Sequence, residues 1–373
     1  MKKATFSILC LEGAVLSFNV AAVAALIPSI ASDFALSQFV VGKIVWLYML
    51  PYGLAAFFYG PLIRVFDARR IELICIFLFS LANLMAGLSG NITTLFIARF
   101  MMGIFGACVI PLGLILVAKR VSQHQRGSYI GIFFGSTFVA SLLGLFLSGI
   151  ISWRLIFIIP AVLGLILWIF MYIYLPSFKE DSGRWRFGYL AALKHKKVLK
   201  IFIYIFLISV IYHAVQQWLG VYFSTQLFLS QFTISILITL TSFSGIFGEV
   251  FGGHLADRVG RPRVVSLGII AMVVCVFLLL LKLPLILLGG VMIIWGLGWT
   301  FNHVGLATML TDLPGEFLNE AASLNSGVRF IAGGLGVSLG GLIMQKSFNL
   351  GFIVFGSALV LLLFSSRVFK LKT

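Results

Sequence analysis

The 373-residue sequence has few charged residues, since Asp, Glu, Lys and Arg together make up 10% of it. Soluble globular domains carry about 25% charged residues and about 45–50% apolar ones, whereas 61% of the residues here are hydrophobic. A water-soluble monomer cannot hide that much apolar surface, because some of it must face solvent. The composition excludes a soluble enzyme, a secreted disulfide scaffold, a disordered chain and a fibrous repeat. It predicts a protein that is surrounded by lipid.

Several chemical signatures are also missing. The sequence has no G-x-x-x-x-G-K-[ST] motif, no H-E-x-x-H motif and no Cys/His metal spacing, so we predict no direct use of ATP, no catalytic residues, no metal and no cofactor. Its four cysteines all fall inside apolar runs, where they read as small packing residues rather than disulfides or metal ligands. They are Cys10, Cys75, Cys108 and Cys275.

Twelve apolar runs are long enough to cross a bilayer as helices, which need ~20 residues each. Strands of a membrane barrel would alternate in polarity and run to only ~10 residues. The runs therefore predict an all-α membrane protein of twelve transmembrane helices, with loops too short for a catalytic domain. They cover residues 5–30, 39–63, 71–89, 94–117, 128–151, 155–175, 201–224, 232–255, 264–282, 285–310, 321–345 and 350–366.

Loop charge predicts the orientation. The sequence has 27 basic and 11 acidic residues, a net charge of +16. If the N-terminus is inside, 21 of the 27 basic residues fall in cytoplasmic loops or termini, as the positive-inside rule requires. We therefore predict a multi-pass protein of the bacterial inner (plasma) membrane with both termini cytoplasmic. The excess of basic residues is then expected to interact with anionic lipid headgroups, and we predict no nucleic-acid partner. Residues 1–25 also resemble a cleaved signal peptide, but the apolar run continues past them to Ile30 and contains Glu12.

A long polar stretch, residues 176–200, separates six spans from six spans. We predict an N-terminal six-helix bundle (1–175), a cytoplasmic linker (176–200) and a C-terminal six-helix bundle (201–373). The turn that starts at Gly60 reappears at Gly253, and the starts of spans 5 and 11 match loosely, both at an offset of about half the chain. Parallel repeats of six spans are typical of transporters.

The second turn, from Gly253 to Pro262, has the sequence G-H-L-A-D-R-V-G-R-P and resembles the G-x-L-a-D-R-x-G-R loop of the major facilitator superfamily. The first turn is a degenerate copy, with Arg64 at the acidic position and Asp67 where a glycine belongs. Arg99-x-x-x-Gly103 resembles the family's span-4 motif, with the next glycine one position early. The resemblance covers the whole chain and implies a twelve-span secondary transporter that works by alternating access.

Trp153-Arg154-x-x-Phe157 resembles a motif of the drug:proton antiporter branch of that superfamily. The branch's span-5 element is incomplete here, because the stretch around Gly144 lacks its proline and one glycine. This second resemblance implies proton-coupled efflux of a small organic molecule.

The two turns are predicted to hold the cytoplasmic side closed when the halves meet. Glycines allow the tight turn, and the acids and arginines supply hydrogen-bonding partners. The alternative is that their charge only sets the orientation. The predicted gate consists of Gly60, Arg64, Asp67, Arg69, Arg70, Gly253, Asp257, Arg258, Gly260 and Arg261.

Ionisable groups inside spans are costly and indicate function. Four stand out: Glu12, Arg99, Glu249 and Arg329. Arg329 needs an anionic neighbour, and both Glu12 and Glu249 lie at a comparable predicted depth; we predict charge pairing between Arg329 and Glu249. A carboxyl group in a poorly solvated cavity can gain and lose a proton near neutral pH. The predicted proton-coupling candidates are Glu12, Glu249 and His213, with a static role as partner of Arg329 as the alternative for Glu12.

Polar and aromatic side chains cluster in spans 1, 2, 4, 7 and 10. Aromatic rings beside amide and imidazole groups suit an organic substrate with flat or apolar parts. The alternative is ordinary interhelical hydrogen bonding and packing. The predicted substrate-cavity residues are Asn19, Tyr48, Tyr52, Arg99, Tyr212, His213, Gln216, Gln217, Trp299, Asn302 and His303.

Taken together, these features predict a monomeric secondary active transporter in the lipid bilayer that exports a small organic molecule in exchange for H⁺. Two alternatives stay open. The protein could be a proton-coupled symporter or uniporter that imports a metabolite, or it could be a membrane-embedded scaffold or enzyme without transport.

Overall fold

A computed structural model of the chain describes residues 3–62, 65–177, 189–311 and 318–368. Seventeen helices, and no strand, lie within these ranges. They are α1 (Lys3–Ser17), α2 (Ala22–Asp33), α3 (Gln38–Val41), α4 (Lys43–Leu62), α5 (Ala68–Gly87), α6 (Ile92–Gly106), α7 (Val109–Arg120), α8 (Gln123–Leu147), α9 (Trp153–Tyr174), α10 (Tyr189–Lys194), α11 (Lys196–Gln216), α12 (Leu219–Thr225), α13 (Gln231–Val259), α14 (Arg261–Leu278), α15 (Leu285–Thr311), α16 (Leu318–Met344) and α17 (Phe348–Val368).

Several helices begin at a polar residue that accepts a hydrogen bond from the first turn, where backbone N–H groups have no helical partner. Asn91 accepts from the amide of Thr94 at 2.9 Å at the start of α6. Ser230 accepts from the amide of Thr233 at 3.3 Å at the start of α13. Asp67 caps α5 in the same way, through the amide of Arg69 at 3.1 Å. These caps mark where the chain turns back into the next span.

Eleven helical segments of the described chain are long and apolar enough to span a membrane, and α1 with α2 adds a twelfth if this bent pair is one span. Side chains on their outer faces are apolar: Ile173 is 62% exposed, Phe251 63% and Leu361 71%. Such surfaces suit lipid rather than water. The predicted all-helical, twelve-span fold is confirmed in this sense.

Span 1 differs from the prediction of one continuous helix over residues 5–30. The helix stops at Ser17, resumes at Ala22 and bends by 41°. At this point the backbone of α8 comes so close that a Cβ atom on Gly144 would overlap the carbonyl oxygen of Phe18. The break coincides with this close helix contact, which apolarity along the sequence does not reveal.

The chain forms two compact units, Met1–Gly188 and Tyr189–Thr373. The boundary falls inside the predicted linker 176–200, of which residues 189–194 and 196–200 are helical.

Each unit repeats the same helix packing. In the first unit α1 packs on α8, α4 on α6 and α5 on α9; in the second, α11 packs on α16, α13 on α15 and α14 on α17. The close approach between Gly144 and Phe18 has a counterpart in the second unit, where a Cβ on Gly340 would overlap the carbonyl oxygen of Ala214. The offset is again about half the chain, as parallel repeats require.

Candidate functional site

Two carboxyl groups lie deep inside the N-terminal unit. Glu12, on α1, and Glu72, on the first two turns of α5, are both 0% exposed. None of their four carboxyl oxygens has a hydrogen-bond partner among the residues that the structure describes, and the two groups are close enough to interact electrostatically. A charged carboxylate in such a place is costly. This arrangement can therefore hold protons more readily than it can hold two negative charges.

Asn19, which shares the predicted face of Glu12, lies in the break between α1 and α2. Its amide nitrogen donates to the side-chain oxygen of Asn83 at 2.6 Å, and Asn83 donates in turn to the carbonyl of Phe79 at 3.0 Å. Both asparagines are fully buried. The pair links span 1 to span 3 by hydrogen bonds.

Arg99 is a buried cation on α6, 1% exposed. Its Nε donates to the carbonyl of Ile44 at 3.0 Å, and its guanidinium lies 4.4 Å from the ring centroid of Tyr48. Tyr52 is next in the same stripe, with its ring 5.6 Å from that of Tyr48. A backbone carbonyl and an aromatic face compensate this charge without a carboxylate.

The Trp153-Arg154 dipeptide at the start of α9 joins three elements. Asp33, the last residue of α2, accepts from the indole nitrogen of Trp153 at 3.1 Å and from the guanidinium of Arg154 at 3.0 Å. Arg154 also donates to the carbonyls of Gly87 and Ser89, at 3.2 and 2.7 Å, at the end of α5. The motif has a structural role in the N-terminal unit.

A stack of aromatic rings forms in the C-terminal unit between α11 and α15. The ring of Tyr212 lies 3.9 Å from that of Trp299 and 5.3 Å from that of Trp295, nearly parallel to both. His213 meets Trp299 edge-on at 5.7 Å, and its Nδ1 lies 3.3 Å from the amide of Gln217. Trp299 and His213 are half-buried. We call Tyr212, His213, Trp295 and Trp299 the aromatic cluster.

Charged groups adjoin this aromatic cluster. The guanidinium of Arg329 lies 5.8 Å from the ring centroid of Trp299, and its Nε donates to the side chain of Asn325 at 2.9 Å. The residue is only 8% exposed, yet its other two nitrogens have no hydrogen-bond partner among the described residues. Glu249 interacts electrostatically with Arg329, but its carboxylate oxygen lies 2.7 Å from Nδ1 of His303. Glu249 therefore interacts with both His303 and Arg329.

Two further residues that were predicted to line the cavity, Gln216 and Asn302, form hydrogen bonds within the C-terminal unit. Gln216 accepts from the indole nitrogen of Trp295 at 2.6 Å. Asn302 is 0% exposed; it donates to the carbonyl of Gly298 at 2.8 Å and lies against Met272 of α14. Their amides serve helix contacts in this structure.

The first predicted gate turn is held to the end of span 6. Asp67 accepts from the hydroxyl of Ser177 at 2.6 Å, and Arg69 donates to the backbone carbonyl of Tyr172. Arg70 is exposed, and Gly60, in the last turn of α4, is partly exposed. Arg64 lies outside the described residues.

In the second predicted gate turn, a single residue, Gly260, separates α13 from α14. Its φ of +92° suits glycine. Arg261 donates to the carbonyl of Thr308 at 2.8 Å and so ties the start of α14 to the end of α15. Asp257 and Arg258 are exposed, and Gly253 has open space around its Cα.

Sequence reasoning missed Glu72 and Asn83. Glu72 lies at the start of predicted span 3, which begins at residue 71, and was not among the four ionisable residues predicted to lie inside spans. Asn83 lies in the middle of that apolar run, and its polarity alone was a sufficient signal. Within the described ranges, no group of three or more His, Cys, Asp or Glu side chains is arranged to hold a metal ion.

Two repeated helical units with lipid-compatible outer faces and buried polar side chains define a multi-pass membrane transporter. The chain belongs to the Major Facilitator Superfamily, whose family model matches residues 9–341 and again residues 227–371. Membership confirms the predicted superfamily and makes the protein a secondary transporter rather than an enzyme.

Curated relatives are distant but cover most of the chain. An uncharacterized MFS-type transporter, YbcL of Bacillus subtilis (strain 168), is 23% identical over 346 residues, 87% of this chain and 84% of the relative. The purine ribonucleoside efflux pump NepI of Salmonella paratyphi C is 23% identical over 350 residues, 90% of this chain and 86% of the relative.

Solved structures share the fold. The nucleoside transporter NupG superposes with a TM-score of 0.79 at 16% identity, covering 100% of both chains. A D-xylose-proton symporter gives a TM-score of 0.77 at 15% identity, covering 97% of this chain and 96% of its own. At these identities the likeness establishes the fold alone.

Proposed function

We propose that the protein is a proton-coupled exporter of a small planar organic molecule, and that purine ribonucleosides are the first class to test. The observation that carries the substrate class is the aromatic cluster. Half-buried Trp299 and His213 offer an aromatic ring and an imidazole nitrogen, with the amide of Gln217 beside them. A flat base can stack on such a ring and form hydrogen bonds at its edge.

The proposed direction of transport, export from the cell, rests on two similarities. The relative NepI is described as an efflux pump for purine ribonucleosides, and the Trp153-Arg154-x-x-Phe157 motif resembles the drug:proton antiporter branch. Proton coupling rests on Glu12, a fully buried acid in span 1 of a chain without an ATP-binding motif. His213 and Glu249 remain the proposed alternatives as proton carriers.

The remaining assignments follow from this proposal. The protein acts as a monomer in the bacterial inner membrane, with both termini in the cytoplasm. The turns around Asp67 and Asp257 form its cytoplasmic gate. Asn19, Tyr48, Tyr52 and Arg99 in the N-terminal unit contribute to substrate binding or to its support. Asn302, Gln216 and His303 do the same in the C-terminal unit.

The test is transport in proteoliposomes. Purified protein should exchange radiolabelled inosine for unlabelled purine ribonucleosides across the membrane, with no exchange against D-xylose. A pH gradient should drive inosine accumulation against its concentration gradient on the side with the higher proton concentration, because an antiporter moves substrate opposite to the proton flow. Accumulation on the other side would indicate a symporter that imports its substrate. Exchange without accumulation would indicate a uniporter.

A further inference from the structure

Glu12 and Glu72 share an environment that is unusual for acids. They come from different helices of the N-terminal unit, both are 0% exposed, and all four carboxyl oxygens are without hydrogen-bond partners. Neither carboxyl has an ion-pair partner in the part of the chain that the structure describes. Among the described residues, no hydrogen-bond donor or ion-pair partner compensates a negative charge on either carboxyl group.

The titratable groups nearest to the two acids are neutral or acidic. The thiols of Cys75 and Cys108 interact with both carboxyls, and Cys75 donates to the hydroxyl of Tyr59 at 3.4 Å. Asp67, at the start of α5, interacts with Glu72. These groups come from α4, from α5 and its cap, and from the junction of α6 and α7.

Three cations on these helices and their neighbours, Arg69, Arg99 and Arg154, have other partners. Helix α1 packs against α7, α8 and α9, and α5 packs against α6, α7 and α9. On α9, Arg154 pairs with Asp33. Arg99 on α6 contacts Ile44 and Tyr48, and Arg69 on α5 contacts Tyr172. On α8 the described titratable side chain is Tyr129, which packs on Phe6.

Two neighbouring carboxylates buried in a medium of low dielectric cannot both stay ionised without a cation. A proton removes this cost directly, and both side chains are 0% exposed. We infer that Glu12 and Glu72 together form one proton-binding site, in which one carboxyl group stays protonated beside the other. This inference rests on the proposed proton coupling and adds Glu72 to it.

A second acid beside Glu12 changes how the site binds and releases a proton. A pair of acids that repel each other binds its first proton more readily than a single acid does, and releases it only when water or another group stabilises the remaining charge. When the unit opens to one side, the proton leaves as H⁺ to water and the carboxylate that remains is solvated. Release is thereby restricted to the open state, which is a requirement for coupling.

The transport test uses the full-length protein in proteoliposomes with a pH gradient and inosine. Glu72→Gln should abolish gradient-driven accumulation as Glu12→Gln does, while inosine counterflow persists in both. Asp33→Asn is the matched control, because it removes an acid of the same unit that belongs to the Arg154 contact; it should accumulate inosine like the wild type. Glu72→Asp restores a carboxyl group and should recover part of the accumulation, which separates loss of the proton from misfolding.

Infrared spectroscopy of the protein in lipid nanodiscs tests the site without any substrate. The wild type should show the absorption of protonated carboxyl groups at neutral pH. This signal should fall in Glu12→Gln and in Glu72→Gln, and their double variant should lack its pH dependence. If the wild type shows no inosine counterflow, the proposed substrate is wrong, but the infrared evidence for the proton-binding site is unaffected.

Three outcomes would overturn the inference. Normal accumulation in Glu72→Gln would make Glu72 a structural acid. An infrared signal that changes in Glu12→Gln and not in Glu72→Gln would leave Glu12 alone as the carrier. Accumulation driven by a sodium gradient at equal pH would make the site a sodium site.

Discussion

Trp299 is half-buried on α15, with Tyr212 stacked on its ring and Arg329 beside it. Trp299→Ala should weaken purine ribonucleoside binding roughly 5- to 150-fold, because stacking of a base on an aromatic ring contributes about 1–3 kcal/mol. Trp299→Phe keeps an aromatic face and should retain most of the affinity. Binding of inosine to the purified protein, followed by scintillation proximity, measures both.

Trp168 provides the control for this experiment. It lies on α9 and contacts Phe77 and Tyr172, outside the aromatic cluster. Trp168→Ala should leave the inosine affinity unchanged. Equal losses in the two alanine variants would indicate that tryptophan removal disturbs the fold and would contradict a direct contact with Trp299.

At the scale of single residues, sequence reasoning identified which polar side chains lie in apolar spans but not what surrounds them. Glu12 was recognised as a buried acid because apolar residues flank it on both sides. Glu72 was missed because it lies at the start of predicted span 3, and the sequence does not show that α5 turns this side chain inward. The contact of Glu249 with His303 joins two helices, and no local pattern predicts such a pair.

Helix α8 offers a sharp test of the close contact that accompanies the break in span 1. Gly144→Ala should destabilise the protein by about 1–3 kcal/mol, because its Cβ would overlap the backbone oxygen of Phe18, which cannot move without shifting a helix. Gly135→Ala, on the same helix with nothing within 4 Å, should be neutral or stabilise by up to about 1 kcal/mol. Thermal unfolding in detergent compares the two. Equal melting temperatures for both variants would show that α8 does not touch the break.

The start of α9 permits a second prediction at this scale. Arg154→Ala removes hydrogen bonds to the carbonyls of Gly87 and Ser89 and the ion pair with Asp33. We expect a loss of about 1–3 kcal/mol of unfolding free energy, most of it from the carbonyl contacts, since exposed ion pairs contribute little. Lys346→Ala, an exposed lysine of the C-terminal unit, should leave the melting temperature unchanged. A stability loss that disappears in high salt would assign the effect to the ion pair instead.

Predicted spans and observed helices agree where hydropathy decides and differ where tertiary contacts decide. Twelve apolar runs were sufficient to predict the helical fold, because a helix satisfies its own backbone in lipid. The bend between Ser17 and Ala22 has no proline to mark it. It lies against Gly144, far away in the sequence, and the local pattern does not predict it.

At the scale of the molecule, the repeat connects sequence and structure. The same three helix pairs recur in each unit, and Gly144 and Gly340 make equivalent contacts with their partner helices. The functional side chains do not follow this symmetry. The buried acids Glu12 and Glu72 belong to the first unit, and the aromatic cluster belongs to the second. The proposed proton-binding pair therefore lies in the first unit, and the proposed stacking surface lies in the second.

The loop charges predict the orientation of the chain in the membrane, and cysteine labelling can test it. In a variant without the four native cysteines, Lys194→Cys on α10 should react with a membrane-impermeant maleimide only after the cells are permeabilised, because basic loops stay in the cytoplasm. Gly90→Cys, in the exposed turn between α5 and α6, should react in intact cells. The two positions carry opposite expectations, so that poor expression of one variant cannot imitate the result. Labelling of residue 194 in intact cells together with protection of residue 90 would invert the topology. The two turns around Asp67 and Asp257 would then lie on the outer side and could not form a cytoplasmic gate, although an antiporter in either orientation still moves substrate opposite to the proton flow.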